Sequence, residues 1–243
     1  MEVFRKVHRN NLKRFQVGRI GKGTQGDIVK ICVDGRLAVV KDISNRNLPS
    51  RVLFARWLLA REYRAYLRLQ GLAGIPKLFG KIDRDAFILE YIDGVPLSAF
   101  SRDAHIPVEF FDTLTELVQG IHSRGVVHSD LKHKKNILVG KDARPYLIDF
   151  GTSWIVAPAW NFPHRWLYRQ FLQIDLNAIS KIRTRFVCGS PDASDLKNLR
   201  KRNIMEKCGT VYQFIYRIFS RKHSRKMRRK TSSSRALRRG DPS

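Results

Sequence analysis

The hydrophobic period of this chain changes once along its length, and that change limits what it can fold into. Up to residue 92 the apolar residues come in short runs broken by turn residues; from Pro107 onward they recur at helical spacing. Segments 16–20, 27–33, 37–41, 77–81 and 86–92 read as strands, and Asp34-Gly35 marks a tight hairpin between the second and third. One helix interrupts them. After Pro49, the residues Leu53, Trp57, Leu58, Tyr63, Tyr66, Leu67 and Leu69 fall at helical spacing, and Gly71 ends the run. In the second half Phe110, Phe111, Leu114, Leu117, Val118 and Ile121 form one helical face, and 166–186 reads as another helix. Three short apolar pieces, 126–130, 137–139 and 146–148, lie between polar loops, and 212–219 is a last apolar segment. Strands with one helix, then mostly helices, imply an α+β chain in two lobes.

Composition narrows the class further. Over 243 residues, 43% are hydrophobic, enough for a packed core. Forty-seven Lys and Arg stand against 21 Asp and Glu, a formal net charge of +26. Such a balance attracts anionic partners: nucleic acid, a membrane surface or a phosphorylated substrate. Cys32, Cys188 and Cys208 are scattered and make no C-x-x-C pair, which argues against a disulfide framework or a zinc site and favours a reducing, cytoplasmic setting. No apolar signal region opens the chain and no apolar run is long enough to span a bilayer, so membrane contact would be from the surface. Residues 221–243 are dominated by Lys, Arg and Ser and are expected to be disordered when free.

Five elements carry chemistry, and their order matters more than any one of them. Gly21, Gly23 and Gly26 form a G-x-G-x-x-G between two strands, where a dinucleotide-binding turn would instead open a helix. Glycines allow backbone to approach a phosphate that a Cβ would obstruct. Ala38-Val39-Val40-Lys41 ends a strand, and Glu62 is the only acid in the helix that follows. Residues 87–94, with Glu90 and Ile92, form a strand ending at Asp93-Gly94. Then come His128-Ser129-Asp130-Leu131-Lys132, Asn136-Ile137-Leu138-Val139 and Asp149-Phe150-Gly151. Taken singly, each has an ordinary reading as a glycine hairpin, a solvated lysine, a surface acid or a turn residue.

Together, across residues 15–182, these elements resemble the protein-kinase-like superfamily, and within it the small atypical bacterial kinases of RIO and lipopolysaccharide-kinase type. The resemblance implies a two-lobed protein-kinase-like fold: a basic segment 1–14, a small β-rich N-lobe over 15–92, an abbreviated helical C-lobe over 93–220 and the basic tail. It implies ATP and Mg²⁺ as cofactors. Gly21, Gly23, Gly26 and Lys41 would hold the phosphates, Glu62 would pair with Lys41, and the backbone of Glu90 and Ile92 would meet adenine. Asp130 would accept the proton of the nucleophile, Lys132 would neutralise charge on the phosphoryl group, and Asn136 and Asp149 would bind the metal.

Three departures from the family pattern stand out. Five residues, 131–135, separate Asp130 from Asn136 where the pattern has four, so one extra residue is expected to bulge between Lys132 and Asn136. Ser129 replaces the arginine that often receives a phosphorylated activation loop. No A-P-E motif follows Gly151; Ala157-Pro158-Ala159 comes early and lacks the glutamate. The resemblance implies that Asp175 is a buried helix aspartate supporting the catalytic loop from below; the other reading is an acid at the start of a short helix. Lys132 after Asp130 resembles the serine/threonine class, which favours a protein hydroxyl as acceptor. A sugar hydroxyl of lipopolysaccharide core is the alternative enzyme reading, and a nucleotide-binding pseudokinase the non-enzymatic one. The tail could hold the chain at the inner face of a membrane; nucleic-acid binding is the weaker reading, since it leaves the ordered motifs unexplained.

Overall fold

Antiparallel pairing of five strands builds the first half of the chain in the computed structural model, which describes residues 2–23, 26–44, 49–101, 104, 106–156 and 162–187. After a short helix α1 (Leu12–Phe15) come β1 (Gln16–Gly23), β2 (Gly26–Val33), β3 (Arg36–Asp42), helix α2 (Pro49–Arg68), β4 (Leu78–Asp83) and β5 (Ala86–Glu90). The sheet order is β1-β2-β3-β5-β4. The β2–β3 hairpin closes with Val33 opposite Arg36, so Asp34-Gly35 is the whole loop. Both residues have positive φ, 49° and 75°, the geometry that matches the twist of a two-residue hairpin and that selects Asp-Gly.

Alternation along the strands gives the sheet two apolar faces. Val29, Ile31, Val33, Ala38, Val40 and Ile88 face a cluster that includes Phe4, Val7 and Leu12. The stretch set apart in the sequence as a basic N-terminal segment therefore supplies core side chains to the small lobe. Arg9 fastens it: the guanidinium donates to both oxygens of Asp83, at 2.7 and 2.9 Å, and also pairs with Asp42. Phe87 and Leu89 face the other way, toward α2.

On α2 the buried stripe is Ala55, Leu58, Leu59, Glu62, Ala65 and Tyr66, continued by Leu69 beyond its end. Trp57 and Leu67, which spacing alone assigns to the core side, are each 52% exposed. Their hydrophobicity fits the period loosely, and only the sheet decides which stripe is covered.

The second half supplies β6 (Gly94–Pro96), α3 (Val108–Ser123), β7 (Val126–Val127), β8 (Ile137–Gly140), β9 (Pro145–Leu147), β10 (Trp154–Ile155) and α4 (Phe162–Phe186). All six apolar residues expected on the α3 face are buried. The short apolar pieces become β7, β8 and β9; β6 pairs with β8 and β10 with β7. Sequence reading misses β6 and β10, since two or three residues carry no period. The architecture is the expected α+β one, a β-rich small lobe followed by a helical lobe. All described residues belong to one unit, Met1–Lys201. Thr24, Gln25, the Ala-Pro-Ala sequence at 157–159, the apolar segment 212–219 and the tail from 221 lie outside the described residues. Among the described residues no helix is long and apolar enough to cross a membrane.

Candidate active site

Lys41 lies on the face of β3 opposite Ala38 and Val40, because neighbours in a strand point to opposite sides. Its Nζ donates to Glu62 Oε1 and, at 3.1 Å, to Asp149 Oδ1. Glu62 is only 1% exposed, in the middle of the apolar stripe of α2. Burial pushes its pKa above the ordinary carboxylate value, with Lys41 opposing. Burial also opposes the charge of Lys41, but Asp149 and Glu62 outweigh it and raise the lysine pKa. Asp149 is held below the usual carboxylate range, chiefly by Lys41. The three groups thus form one charged bridge between β3, α2 and the loop after β9.

The loop carrying Asp149 is fixed by aromatic packing. Phe150 is fully buried, with its ring 5.1 Å from that of Tyr66 and 4.7 Å from that of His128. Asp149 takes a left-handed φ of 67°, sparsely populated for a residue with a Cβ. Its N–H donates to the Tyr66 hydroxyl at 3.2 Å. From α2, Arg61 donates to the Gly151 carbonyl at 2.8 Å. The sequence marks Tyr66 only as part of the helical period and does not single out Arg61; Tyr66 lies one turn after Glu62 and Arg61 immediately before it.

The catalytic-loop candidates gather around Asp130. Its Oδ2 and its carbonyl each accept from Asn136 Nδ2 at 3.1 Å. Its Oδ1 accepts from His133 Nδ1 at 2.5 Å. The extra residue does not form a bulge at one point. Two successive i→i+3 turns absorb it: His133 N–H donates to the Asp130 carbonyl at 3.2 Å, and Asn136 N–H to the His133 carbonyl at 2.9 Å. Asn136 is buried and bonded, whereas Lys132 and Lys135 are exposed.

Asp175, in the interior of α4, is 0% exposed. Its carboxylate accepts the backbone N–H groups of His128 and Ser129, both at 2.8 Å, and His122 Nε2 at 3.1 Å. This is the support from below expected of it. The helix is long, so Asp175 is not an acid at a helix start. Ser129 has φ 61°, and its hydroxyl donates to the Thr152 carbonyl at 2.7 Å. With no arginine here, a neutral hydroxyl links the catalytic loop to the segment after Gly151.

The glycines and the residues expected to meet adenine are placed as follows. Gly21 pairs with Ile28 and Gly23 with Gly26 across β1 and β2. A Cβ on Gly26 would lie 2.7 Å from the Asp42 carbonyl oxygen, so the protein's own backbone requires this glycine. A Cβ on Gly21 would meet nothing within 4 Å, which leaves room on that side. Glu90 ends β5; its N–H donates to the Lys77 carbonyl at 2.8 Å and its side chain accepts from the Lys77 N–H at 3.1 Å. Ile92 follows outside any strand, just before β6.

A family model described as the protein kinase domain matches residues 15–170. NUAK family SNF1-like kinase 1 of Mus musculus is 28% identical over 160 residues, covering 62% of this chain and 24% of its own length. Serine/threonine-protein kinase PknE of Mycobacterium tuberculosis is 31% identical over 143 residues, 55% of this chain and 25% of its own. The chain thus spans about a quarter of the length of these curated relatives. The crystal structure of the Rio2 kinase from Chaetomium thermophilum superposes with a TM-score of 0.55 at 18% identity, covering 79% of this chain and 65% of that one; it shows a shared fold.

Proposed function

The chain belongs to the protein kinase domain family, and from that premise we propose that it transfers the γ-phosphate of ATP to a hydroxyl acceptor, a Ser or Thr of a protein. The observation that carries this reading is the bridge in which Lys41 meets both Glu62 and Asp149. A buried lysine held charged by two acids from different elements is a costly arrangement for stability alone. It is what a site needs to hold a cation toward a triphosphate.

The residues present suit ATP and magnesium. Asn136 donates its amide N–H to Asp130, which turns its carbonyl oxygen into the available ligand atom. Asp149 uses Oδ1 for Lys41 and has a second oxygen. Among the described residues no cluster of three or more His, Cys, Asp or Glu could hold a metal by itself. Two protein oxygens with phosphate and water ligands match the habit of Mg²⁺ at nucleotide sites. When bound, ATP and Mg²⁺ supply the phosphoryl group and the charge that stabilises its transfer. Lys41 orients the phosphates, and Gly21, Gly23 and Gly26 bring backbone toward them. Glu90 and Ile92 offer backbone to the base. Asp130 accepts the proton of the attacking hydroxyl, and Lys132 offsets negative charge at the moving group.

Similarity to serine/threonine kinases and the lysine after Asp130 favour a protein acceptor. The basic residues 221–230 are the part of the chain that would draw it to the anionic inner face of a membrane. The decisive test separates two acids. Asp130→Ala should lower transfer by about 10²–10⁴-fold with nucleotide affinity retained, since Asp130 meets the acceptor. Asp149→Ala should lose transfer and metal-dependent nucleotide affinity together. Equal loss of ATP affinity in both variants, with Mg²⁺ present, overturns the assignment.

A further inference from the structure

The extra residue in the catalytic loop brings His133 onto Asp130, and the consequence lies in the geometry of the turns. In a tight i→i+3 turn, residues three apart lie on one face. With four residues between them, an aspartate and an asparagine are five apart and out of that register. Here the separation is six, and Asp130, His133 and Asn136 are joined by two consecutive i→i+3 backbone bonds of 3.2 and 2.9 Å. The two side chains that follow Asp130 at steps of three both turn back to its carboxylate. His133 Nδ1 lies 2.5 Å from Oδ1 and Asn136 Nδ2 lies 3.1 Å from Oδ2.

From this we infer that His133 is a positioning residue for Asp130, completing a two-sided clamp that the longer loop makes available; the inference rests on the phosphotransferase reading. A carboxylate only accepts hydrogen bonds, so the His133 ring must carry its proton on Nδ1. A carboxylate held at one oxygen can still rotate about its last bond. Held at both oxygens by groups from two successive turns, it cannot, and its remaining lone pairs point in set directions. An acceptor hydroxyl then meets an oxygen already in place, and orientation of this kind carries a large part of rate enhancement. His133 is half-exposed while Asp130 is mostly buried, so the clamp closes from the open side of the loop. His133 is not among the residues assigned to the adenine or to the lysine bridge, and the inferred effect is on turnover and not on nucleotide binding.

The test uses the full chain with Mg-ATP and casein supplied as a Ser/Thr-bearing phosphoryl acceptor, measuring ADP formation in steady state and equilibrium binding of a fluorescent ATP analogue. His133→Ala should lower kcat on the order of 10- to 100-fold. The KM for ATP, the analogue affinity and the melting temperature should stay near wild type. His133→Asn, whose amide nitrogen can take the place of Nδ1, should recover most of the loss. Nitrogen-15 spectra of the His133 ring should show the Nδ1–H form in the wild type, lost in Asp130→Ala. An active wild type with an unchanged kcat in His133→Ala, or equal loss in the Ala and Asn variants, overturns the clamp alone. A wild type that binds the analogue but forms no ADP overturns the phosphotransferase reading, and the role of His133 with it.

Discussion

At residue scale, Asp175 shows how one buried carboxylate can hold a loop. It accepts the N–H groups of His128 and Ser129 and a ring nitrogen of His122. A buried donor left without an acceptor costs about 1–3 kcal/mol. Asp175→Ala strands two backbone donors, so it should destabilise the fold by about 2–6 kcal/mol on that basis. Urea unfolding would read this, and a loss under about 1 kcal/mol would mean water or relaxation replaces the carboxylate. The lysine bridge makes a second prediction. Lys41 holds the pKa of Asp149 below its ordinary 3.8, so the stability Asp149 contributes is complete above pH 3.8 and is lost as pH falls through the lowered value. Burial works against the Lys41 charge, but its partners raise its pKa above 10.5, so its contribution is complete below pH 10.5 and is lost only as pH rises through the raised value. Lys41→Met leaves Glu62 buried without its partner and should cost about 3–5 kcal/mol. Without Lys41 the main opposition to the effect of burial on the Glu62 pKa is gone, so the folded variant keeps a proton that the unfolded chain gives up. The difference from wild type should therefore grow as pH rises from the ordinary carboxylate value toward that raised value. A difference that does not change with pH in paired urea titrations would show that Lys41 is not what holds Glu62 charged.

At element scale, the N-terminal stretch behaves as part of the small lobe. Phe4 is buried and stacks on Phe79 with ring centroids 4.4 Å apart. Val7 and Leu12 join it over the outer face of the sheet. Removing a buried aromatic leaves a cavity as well as lost transfer energy, so Phe4→Ala should cost about 3–5 kcal/mol. Arg9→Ala should cost less, because its guanidinium is partly exposed and screened, yet it frees Asp42 and Asp83 on one edge. The check is denaturant unfolding of both variants. A Phe4→Ala variant as stable as wild type would mean that the sheet folds without its N-terminal cover. Helix α2 works in the opposite direction, toward chemistry. Glu62, Tyr66 and Arg61 reach Lys41, Asp149 and Gly151 from one face and one flank of the same helix. A rigid element that touches three parts of a site sets their relative positions.

At the scale of the whole molecule, charge is the dominant property. The net charge of +26 is unevenly placed: Arg221, Lys222, Arg225, Lys226, Arg228, Arg229 and Lys230 fall within ten residues. Near an anionic surface each contributes about 1 kcal/mol, falling off within a Debye length. A chain ending at Ser220 should therefore keep its ATP turnover and lose salt-sensitive binding to vesicles containing phosphatidylserine. Co-sedimentation across a salt series decides it. Binding unchanged by the truncation would move the attraction to basic residues elsewhere in the chain.

What the residues alone determined is local, since it depends on period, turn chemistry and motif order. The Asp34-Gly35 hairpin and the buried face of α3 are legible there, because each is set by neighbours within a few positions, and the order Lys41, Glu62, Asp130, Asn136, Asp149 is legible as a motif order along the chain. Asp175 is legible only through the family resemblance, beside the reading of an acid at a helix start. Other features were decided only by tertiary structure. Trp57 and Leu67 fit the α2 period yet face outward, because the sheet covers a narrower stripe than hydrophobicity marks. β6 and β10 are strands only because β8 and β7 lie alongside to accept their hydrogen bonds. The N-terminal stretch reads as basic and polar, and its three core residues acquire meaning only once the sheet presents an uncovered face. The place of His133 depends on backbone bonds across two turns, which residue spacing allows but cannot by itself select. Burial and hydrogen-bond closure are properties of the assembled chain, and these are the features they decide.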